Sequence, residues 1–357
     1  MQDQFGRHIH YLRVSVTDRC DFRCTYCLPR SHRDFETPDA WLKPQELARV
    51  VAAFTGLGVN HVRLTGGEPL VRPELTEIVQ RINELPGIED LSLSTNASRL
   101  GTFARDLKAA GVTRLNISLD SLDAATFKQL TGGDLARVMA GIDAARDAGF
   151  APIKINMVAM RGLNDHEANA MVDFCLSKGL TLRFIEAMPV GAGGQRAQDH
   201  YMPLAEIEQR LRDRFTLTPT AMHGSGPARY FQIEDSELRV GFITPQSQHF
   251  CDTCNRVRLS VNGDLYLCLG QENKVALGEM LRGGASDSEL QTAILAGIAR
   301  KPQRHDFLDA PTAILRPMSA LGGGTADTGG ASARFRNRRG PWNRSRPPRP
   351  AQDDRGS

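Results

Sequence analysis

Six runs of alternating apolar residues are strung along the first half of the chain, each separated from the next by a helical pattern. The runs are YLRVSVTD (11–18), HVRLTG (61–66), LSLSTN (91–96), TRLNISLD (113–120), IKINMVAM (153–160) and TLRFIEAM (181–188). Alternation with a period of two marks strands. Between them, PQELARVVAAFTGLG opens at Pro44, spaces its apolar residues by three and four, and stops at Gly56 or Gly58. Similar spacing predicts helices over about 73–85, 101–110, 134–148 and 165–179. Strands alternating with helices imply parallel pairing through right-handed crossovers. Six units are too few to close an eight-stranded barrel. The pattern therefore predicts an α/β fold, either an open partial barrel of (βα)6 TIM type or a doubly wound sheet. In both, ligands bind beyond the C-terminal ends of the strands. The stretches found there are a cysteine-rich loop, TGGEP, STN, SLD and EAMPVG.

After about residue 200 the character changes. A helix is expected over 203–214, then a hairpin from ARYFQIED and ELRVGFI, and a second from RVRLSV and LYLCL joined by NGD. With final helices to about 300, this reads as a smaller β-rich layer. GAGGQRAQDH, at the soft boundary near 190–205, reads as a mobile loop. The expected organisation is 1–200, 201–323 and a disordered tail over 324–357. From Gly322 to the end there are eight Arg against three Asp, a net +5, which leaves −2 of the chain's +3 to the rest. The tail is Arg- and Pro-rich without apolar periodicity, so a solvated extension is expected in preference to a nucleic-acid arm. No apolar run reaches the length of a membrane span. MQDQFGRHIH lacks the apolar stretch of a secretory signal, so a cytoplasmic protein is expected. In that compartment seven cysteines point to metal or catalytic chemistry, not to disulfides.

The cysteines are clustered. CDFRCTYC places Cys20, Cys24 and Cys27 within eight residues. A structural zinc site wants four ligands, and His32 is in reach as a fourth, but Cys-x3-Cys-x2-Cys is poor zinc spacing. Thiolates also hold iron–sulfur clusters, and three thiolates on a four-iron cluster leave one iron open. This motif, with an aromatic residue before its last cysteine, resembles the signature of the radical S-adenosylmethionine (SAM) superfamily. The resemblance implies a [4Fe-4S] cluster whose open iron binds SAM and cleaves it to a hydrogen-abstracting radical. TGGEP (65–69) then resembles the segment receiving the SAM amino group.

A second triad, Cys251, Cys254 and Cys268, admits a zinc ribbon completed by His249 or a second cluster with a second open iron. Arg256 and Arg258 lie between Cys254 and Cys268 and share one strand face, suited to a phosphate or carboxylate. Arg13, Arg63 and Lys154 add positive charge to strand faces, and no Walker loop is present. Cys175, in a helical stretch, reads as an inert buried thiol.

FGRHIHYLRVSVTDRCDFRCTYCLP, RLTGGEPLVR, LNISLDSL, RFIEAMPVG and FCDTCNRVRLS together resemble the GTP 3′,8-cyclase family of molybdenum cofactor biosynthesis, from about Phe5 to Gly323. The resemblance implies two [4Fe-4S] clusters and SAM as cofactors, GTP as substrate, and an external electron donor. It also implies a downstream cyclic pyranopterin monophosphate synthase. A homodimer is an open expectation, and neither membrane nor nucleic acid is an expected partner. It matches Tyr26, Gly67, Ser118 and Met188 to SAM. It matches Arg13, Arg63, Ser94, Lys154, Arg256, Val257 and Arg258 to GTP. No side chain is assigned as catalytic, beyond assistance from Arg256 and Arg258. The alternatives are a radical SAM enzyme acting on peptide or RNA and, more remotely, a zinc protein that binds nucleic acid. The chain departs from the family at Ser94 and Ala97 in STNA, at Asp21 and at Leu28. Family members end in a Gly-Gly that reaches the active site, whereas 34 residues follow Gly323 here. The tail is therefore expected to loop out or to be removed for full activity.

Overall fold

The computed structural model describes residues 1–28, 31–33, 35–221, 226–316, 319 and 321. The expectations for the tail and for Gly322–Gly323 lie outside the described residues.

The six units stand where the alternation puts them. They are β1 (Tyr11–Ser15), α1 (Pro44–Thr55), β2 (His61–Thr65), α2 (Leu75–Asn83), β3 (Asp90–Thr95), α3 (Leu100–Ala110), β4 (Arg114–Ser118), α4 (Ala124–Thr131), α5 (Leu135–Asp147), β5 (Ile153–Ala159), α6 (Ala168–Lys178) and β6 (Thr181–Glu186). Pro44 opens α1, and Glu46 accepts a hydrogen bond from the Lys43 backbone at 2.8 Å. The periodicity did not single out α4, which is short. Its signal is a cap: Asp123 accepts from Thr126 N at 2.8 Å, and Gly132 ends the helix in the left-handed region.

All six strands pair in parallel in chain order. Their outward side chains and the buried faces of the helices form one continuous apolar core. That core accounts for the near-continuous apolar runs in these strands.

Residues 191–200, read from sequence as a mobile loop, are helical. Helix α7 (Gly191–Ala197) follows β6 directly. Its glycines are there for contact: a Cβ on Gly193 would lie 2.9 Å from Cys27 O, and one on Gly194 would lie 2.2 Å from Met188 O. The stretch looks like a linker only because packing backbone on backbone needs residues without side chains.

The rest comprises α8 (Leu204–Arg212), β7 (Leu217–Thr220), β8 (Arg229–Ile233), β9 (Arg239–Ile243), β10 (Arg256–Leu259), β11 (Asp264–Tyr266), β12 (Lys274–Ala276), α9 (Leu277–Arg282) and α10 (Asp287–Ile298). Both expected hairpins form. These β-rich residues hydrogen-bond into the barrel sheet at both edges. β9 pairs in parallel with β6, and β10 in parallel with β1. The result is an open twelve-stranded sheet in the order β12-β11-β10-β1-β2-β3-β4-β5-β6-β9-β8-β7.

Candidate active site

The barrel interior is a cavity of about 310 Å³. All six clustered cysteines line it, with Tyr26, Gly67, Ser118, Met188, Arg13, Arg63, Ser94, Arg256, Val257 and Arg258. Of the residues matched to SAM and GTP, only Lys154 is missing from the wall. It lies on β5 below Asn156, buried, on the same strand face.

The parallel pairing of β10 with β1 sets the polarity of the cavity. Cys20, Cys24 and Cys27 follow the C-terminal end of β1, whereas Cys251 and Cys254 precede the N-terminal end of β10. The triads therefore face each other along the barrel, separated by about the length of β1, roughly 15 Å. Between them run two rows of side chains. One joins His61, Tyr11 and Arg256; the other joins Arg63, Arg13 and Arg258. The guanidinium groups of Arg63 and Arg256 both lie over the Tyr11 ring, at 5.3 and 5.6 Å.

The loops around the first triad are fixed to one another by carboxylates, buried at Glu68, Asp120 and Glu186 and exposed at Asp21. Glu68 of TGGEP accepts from Leu70 N at 3.1 Å, Thr95 Oγ1 at 2.7 Å and Asn96 N at 2.6 Å. Asp21 accepts from Asn96 Nδ2 at 2.7 Å and from Ser98 Oγ at 2.6 Å, so this departure from the family ties the cysteine loop to STNA. Asp120 accepts from the Tyr26 hydroxyl at 2.6 Å and from Val158 N at 2.9 Å. Glu186 accepts from Gln246 N at 2.9 Å and also from Ser247, fixing the end of β6 to the segment leading to Cys251. Burial raises Glu68 to about 7 and Asp120 to about 6.

Gly67 has a packing reason besides the one its motif suggests. Its missing Cβ would sit 2.1 Å from Arg19 O, so the glycine admits the cysteine loop, and its N–H donates to Thr17 O at 2.8 Å. Ala97 is buried with φ of 61°, in the left-handed region that glycine enters at least cost. Leu28 is a core residue.

Below the rim the charge is positive. Burial, then Arg258 and Arg63, hold Arg13 well below its ordinary value. Burial and then Arg256 bring Arg258 to about 10. Burial also brings Arg183 to about 10, and burial with Arg183, Arg114 and Arg63 brings Lys154 to about 7. Arg183 was missed from sequence because nothing local marks it; it faces the cavity only because β6 pairs with β5. Its Nε, Asn156 Oδ1 and Tyr11 Oη are buried without hydrogen-bond partners. Orphaned polar atoms among crowded cations fit a polar, multiply charged anion.

The second triad also has neighbours that sequence did not reveal. Despite burial, which raises it, Lys301 and Arg256 hold the Cys254 thiol below its ordinary value. Arg7, buried and paired to Asp3 at 2.6 Å, donates to Cys251 O at 2.9 Å and to Gln303 O at 2.7 Å. Ser319 and Leu321 are buried, and Leu321 O accepts from Arg258 at 3.4 Å. Leu321 thus reaches Arg258.

The histidines considered as fourth ligands do not complete the triads. His32 is buried edge-on against Phe35, and neither it nor His249 lines the cavity. His305 does, but its Nε2 faces Pro245 O at 2.8 Å and its Nδ1 faces Phe307 N at 3.3 Å. Both ring nitrogens are occupied. Among the described residues, no three His, Cys, Asp or Glu side chains converge on a single-ion site. Two sets of three soft thiol donors lining one cavity suit sulfur-ligated clusters. Cys175 is buried in the core, and burial pushes its thiol up.

Residues 14–175 match the Radical SAM superfamily model, and residues 180–307 match the model for Molybdenum Cofactor Synthesis C. The chain is 47% identical over 309 residues to a GTP 3′,8-cyclase of Paracoccus denitrificans, covering 85% of this chain and 89% of that protein. It is 48% identical to one from Pseudomonas putida, covering 90% and 97%. Among solved structures it resembles Streptococcus suis SuiB bound to S-adenosylmethionine, with a TM-score of 0.56 at 16% identity, covering 83% of this chain and 68% of that one. SuiB bound to the precursor peptide SuiA gives a TM-score of 0.60 at 16% identity, covering 85% and 73%. At that identity the likeness speaks to the fold. No described helix is long and apolar enough to cross a membrane.

Proposed function

The chain belongs to the GTP 3′,8-cyclase family of radical SAM enzymes, and from that premise we infer what its cavity does. It converts GTP to (8S)-3′,8-cyclo-7,8-dihydroguanosine 5′-triphosphate, the first step of molybdenum cofactor biosynthesis. The observation that carries this reading is the pair of cysteine triads at opposite ends of one cavity, with five arginines on the wall.

Cys20, Cys24 and Cys27 would hold one [4Fe-4S] cluster, and Cys251, Cys254 and Cys268 the other, each leaving one iron without a protein ligand. When bound, these clusters and SAM supply one-electron reduction and hydrogen abstraction at C3′, which joins C3′ to C8 of guanine. The protein orients and encloses. Tyr26, Gly67, Ser118 and Met188, all on the cavity wall, bind SAM in this reading, with Tyr26 held through its hydroxyl by Asp120. Arg13, Arg63, Arg256, Arg258 and Lys154, joined by Arg183, take the triphosphate, whose charge relieves their mutual repulsion. Ser94 and Val257 complete the GTP contacts. The carboxylates hold the rim loops together, and the apolar wall, including Phe127, Ile185 and Phe250, keeps bulk water from the reacting centre.

An external one-electron donor and a downstream cyclic pyranopterin monophosphate synthase complete the pathway we propose, in the cytoplasm, with a homodimer as the assembly to test. The deciding experiment is anaerobic incubation of the reconstituted protein with SAM, reductant and GTP, followed by product identification. The expected products are 5′-deoxyadenosine and cyclised GTP. SAM cleavage that leaves GTP unchanged would sink the assignment.

A further inference from the structure

One aromatic residue outside the six-unit barrel reaches its cations. The register aligns Ser118, Asn156, Arg183, Gly241 and Tyr230 in a single row across β4, β5, β6, β9 and β8. Tyr230, near the far end of the row beside Thr220 of β7, is half-buried. Gly241 is the gap that lets it act. A Cβ there would lie 2.7 Å from Tyr230 Cε1 and 3.1 Å from Arg183 Cγ, so both side chains cross the space over this one glycine. The Lys154 ammonium lies 5.8 Å from the centroid of the Tyr230 ring. Arg183 is anchored on its other side by the hydrogen bond its guanidinium donates to Asn116 Oδ1.

Lys154 and Arg183 are like charges, both buried, and Arg183 disfavours the charged form of Lys154. The face of an aromatic ring carries partial negative charge and attracts a cation without neutralising it. A carboxylate in the same place would form an ion pair and compete with an anionic ligand. A tyrosine ring holds the cations in place and leaves their charge available.

We propose that Tyr230 is a positioning residue for the phosphate subsite, holding Lys154 and Arg183 inside the barrel ready for the distal phosphates of the nucleotide. The proposal rests on the reading of the cavity as a GTP site. It distinguishes residues that grip the phosphates from one that arranges the grip.

The test uses the full chain with both clusters reconstituted, and equilibrium binding of GTP and of GMP alongside kcat and KM. Tyr230→Leu removes the ring and should weaken GTP roughly 5- to 30-fold, the range expected for loss of a desolvated cation–π contact. GMP affinity and kcat should stay within about twofold, because the distal phosphates alone sense the loss. Tyr230→Phe keeps the ring and should restore GTP affinity to within about threefold of the native chain. Should Tyr230→Leu fail to fold, Tyr230→Met carries the same expectation. Equal weakening of GTP and GMP, or a Phe variant as impaired as Leu, overturns the role of Tyr230 and leaves the GTP reading standing. A native chain that binds neither nucleotide overturns both.

Discussion

Lys154 is the residue on which the electrostatics of the site can be checked most directly. Burial and three neighbouring arginines bring its ammonium to about 7. Its folded value thus lies below its unfolded one, and between the two the unfolded chain binds the extra proton. This group therefore makes stability rise with pH from about 7 towards its ordinary value of 10.5. A bound polyphosphate favours the charged form and reverses the shift. GTP binding at pH 8 should accordingly take up a proton, and affinity should fall as pH rises through the same window. Calorimetry in two buffers of different ionisation enthalpy measures the uptake. Lys154→Met should remove it, and uptake unchanged in that variant would place the charge elsewhere. Arg258→Ala should weaken GTP at least tenfold, the range for losing a charge-assisted contact, while leaving SAM binding unchanged. Equal GTP affinity would show that Leu321 O is the only partner this side chain serves.

At the level of elements, the rim loops are held by few contacts, each with an identifiable cost. Helix α7 rests its glycines on the backbone of Cys27 and Met188. Gly194→Ala would bring a methyl group within 2.2 Å of Met188 O, so the helix must move away. We expect a loss of about 1–3 kcal/mol in denaturant titration, with lower iron retention at the first triad. Glu68 joins the turn after β2 to the turn after β3. Glu68→Gln replaces one acceptor oxygen with a donor facing either Asn96 N or the Leu70–Thr95 side, costing about 1–3 kcal/mol. SAM affinity should fall with it; stability unchanged in anaerobic unfolding would mean that the turns are held by other contacts.

At the scale of the whole molecule, the decisive contact is the parallel seam between β1 and β10. It brings Cys251 and its neighbours to one end of a cavity whose opposite end holds Cys20, Cys24 and Cys27. The triads belong to separate loops at opposite ends of that seam, so they should load separately. Cys24→Ala should abolish 5′-deoxyadenosine formation and retain about half the iron and sulfide, since one cluster site is untouched. Loss of all iron would show that the two sites assemble as one. Arg7 spans the molecule in the same way, and its removal leaves Asp3 buried without its charge partner. Arg7→Ala should cost about 3–5 kcal/mol, read from the thermal midpoint, with the second triad's iron lost first.

Much of this was legible in the chain itself. Alternation of period two, interrupted by Pro- and Gly-bounded helical spacing, determined the six units, because local periodicity is what a strand or helix imposes on its own residues. Two triads of cysteines determined the chemistry of the donor set, because ligand type and number are written in adjacent residues. Tertiary structure alone decided the rest. It joined β10 to β1 and β9 to β6, set the triads at opposite ends, and brought Arg183, Lys301, Arg7 and Tyr230 to sites that no local pattern announces. It also turned GAGGQRAQDH from an apparent loop into a packed helix. The physical reason is the same in each case: sheet register and backbone close packing join residues far apart in the chain. The open ligand positions suggested by CDFRCTYC and CDTC were visible as composition. That they face one another across two rows of side chains rich in arginine was decided by the fold.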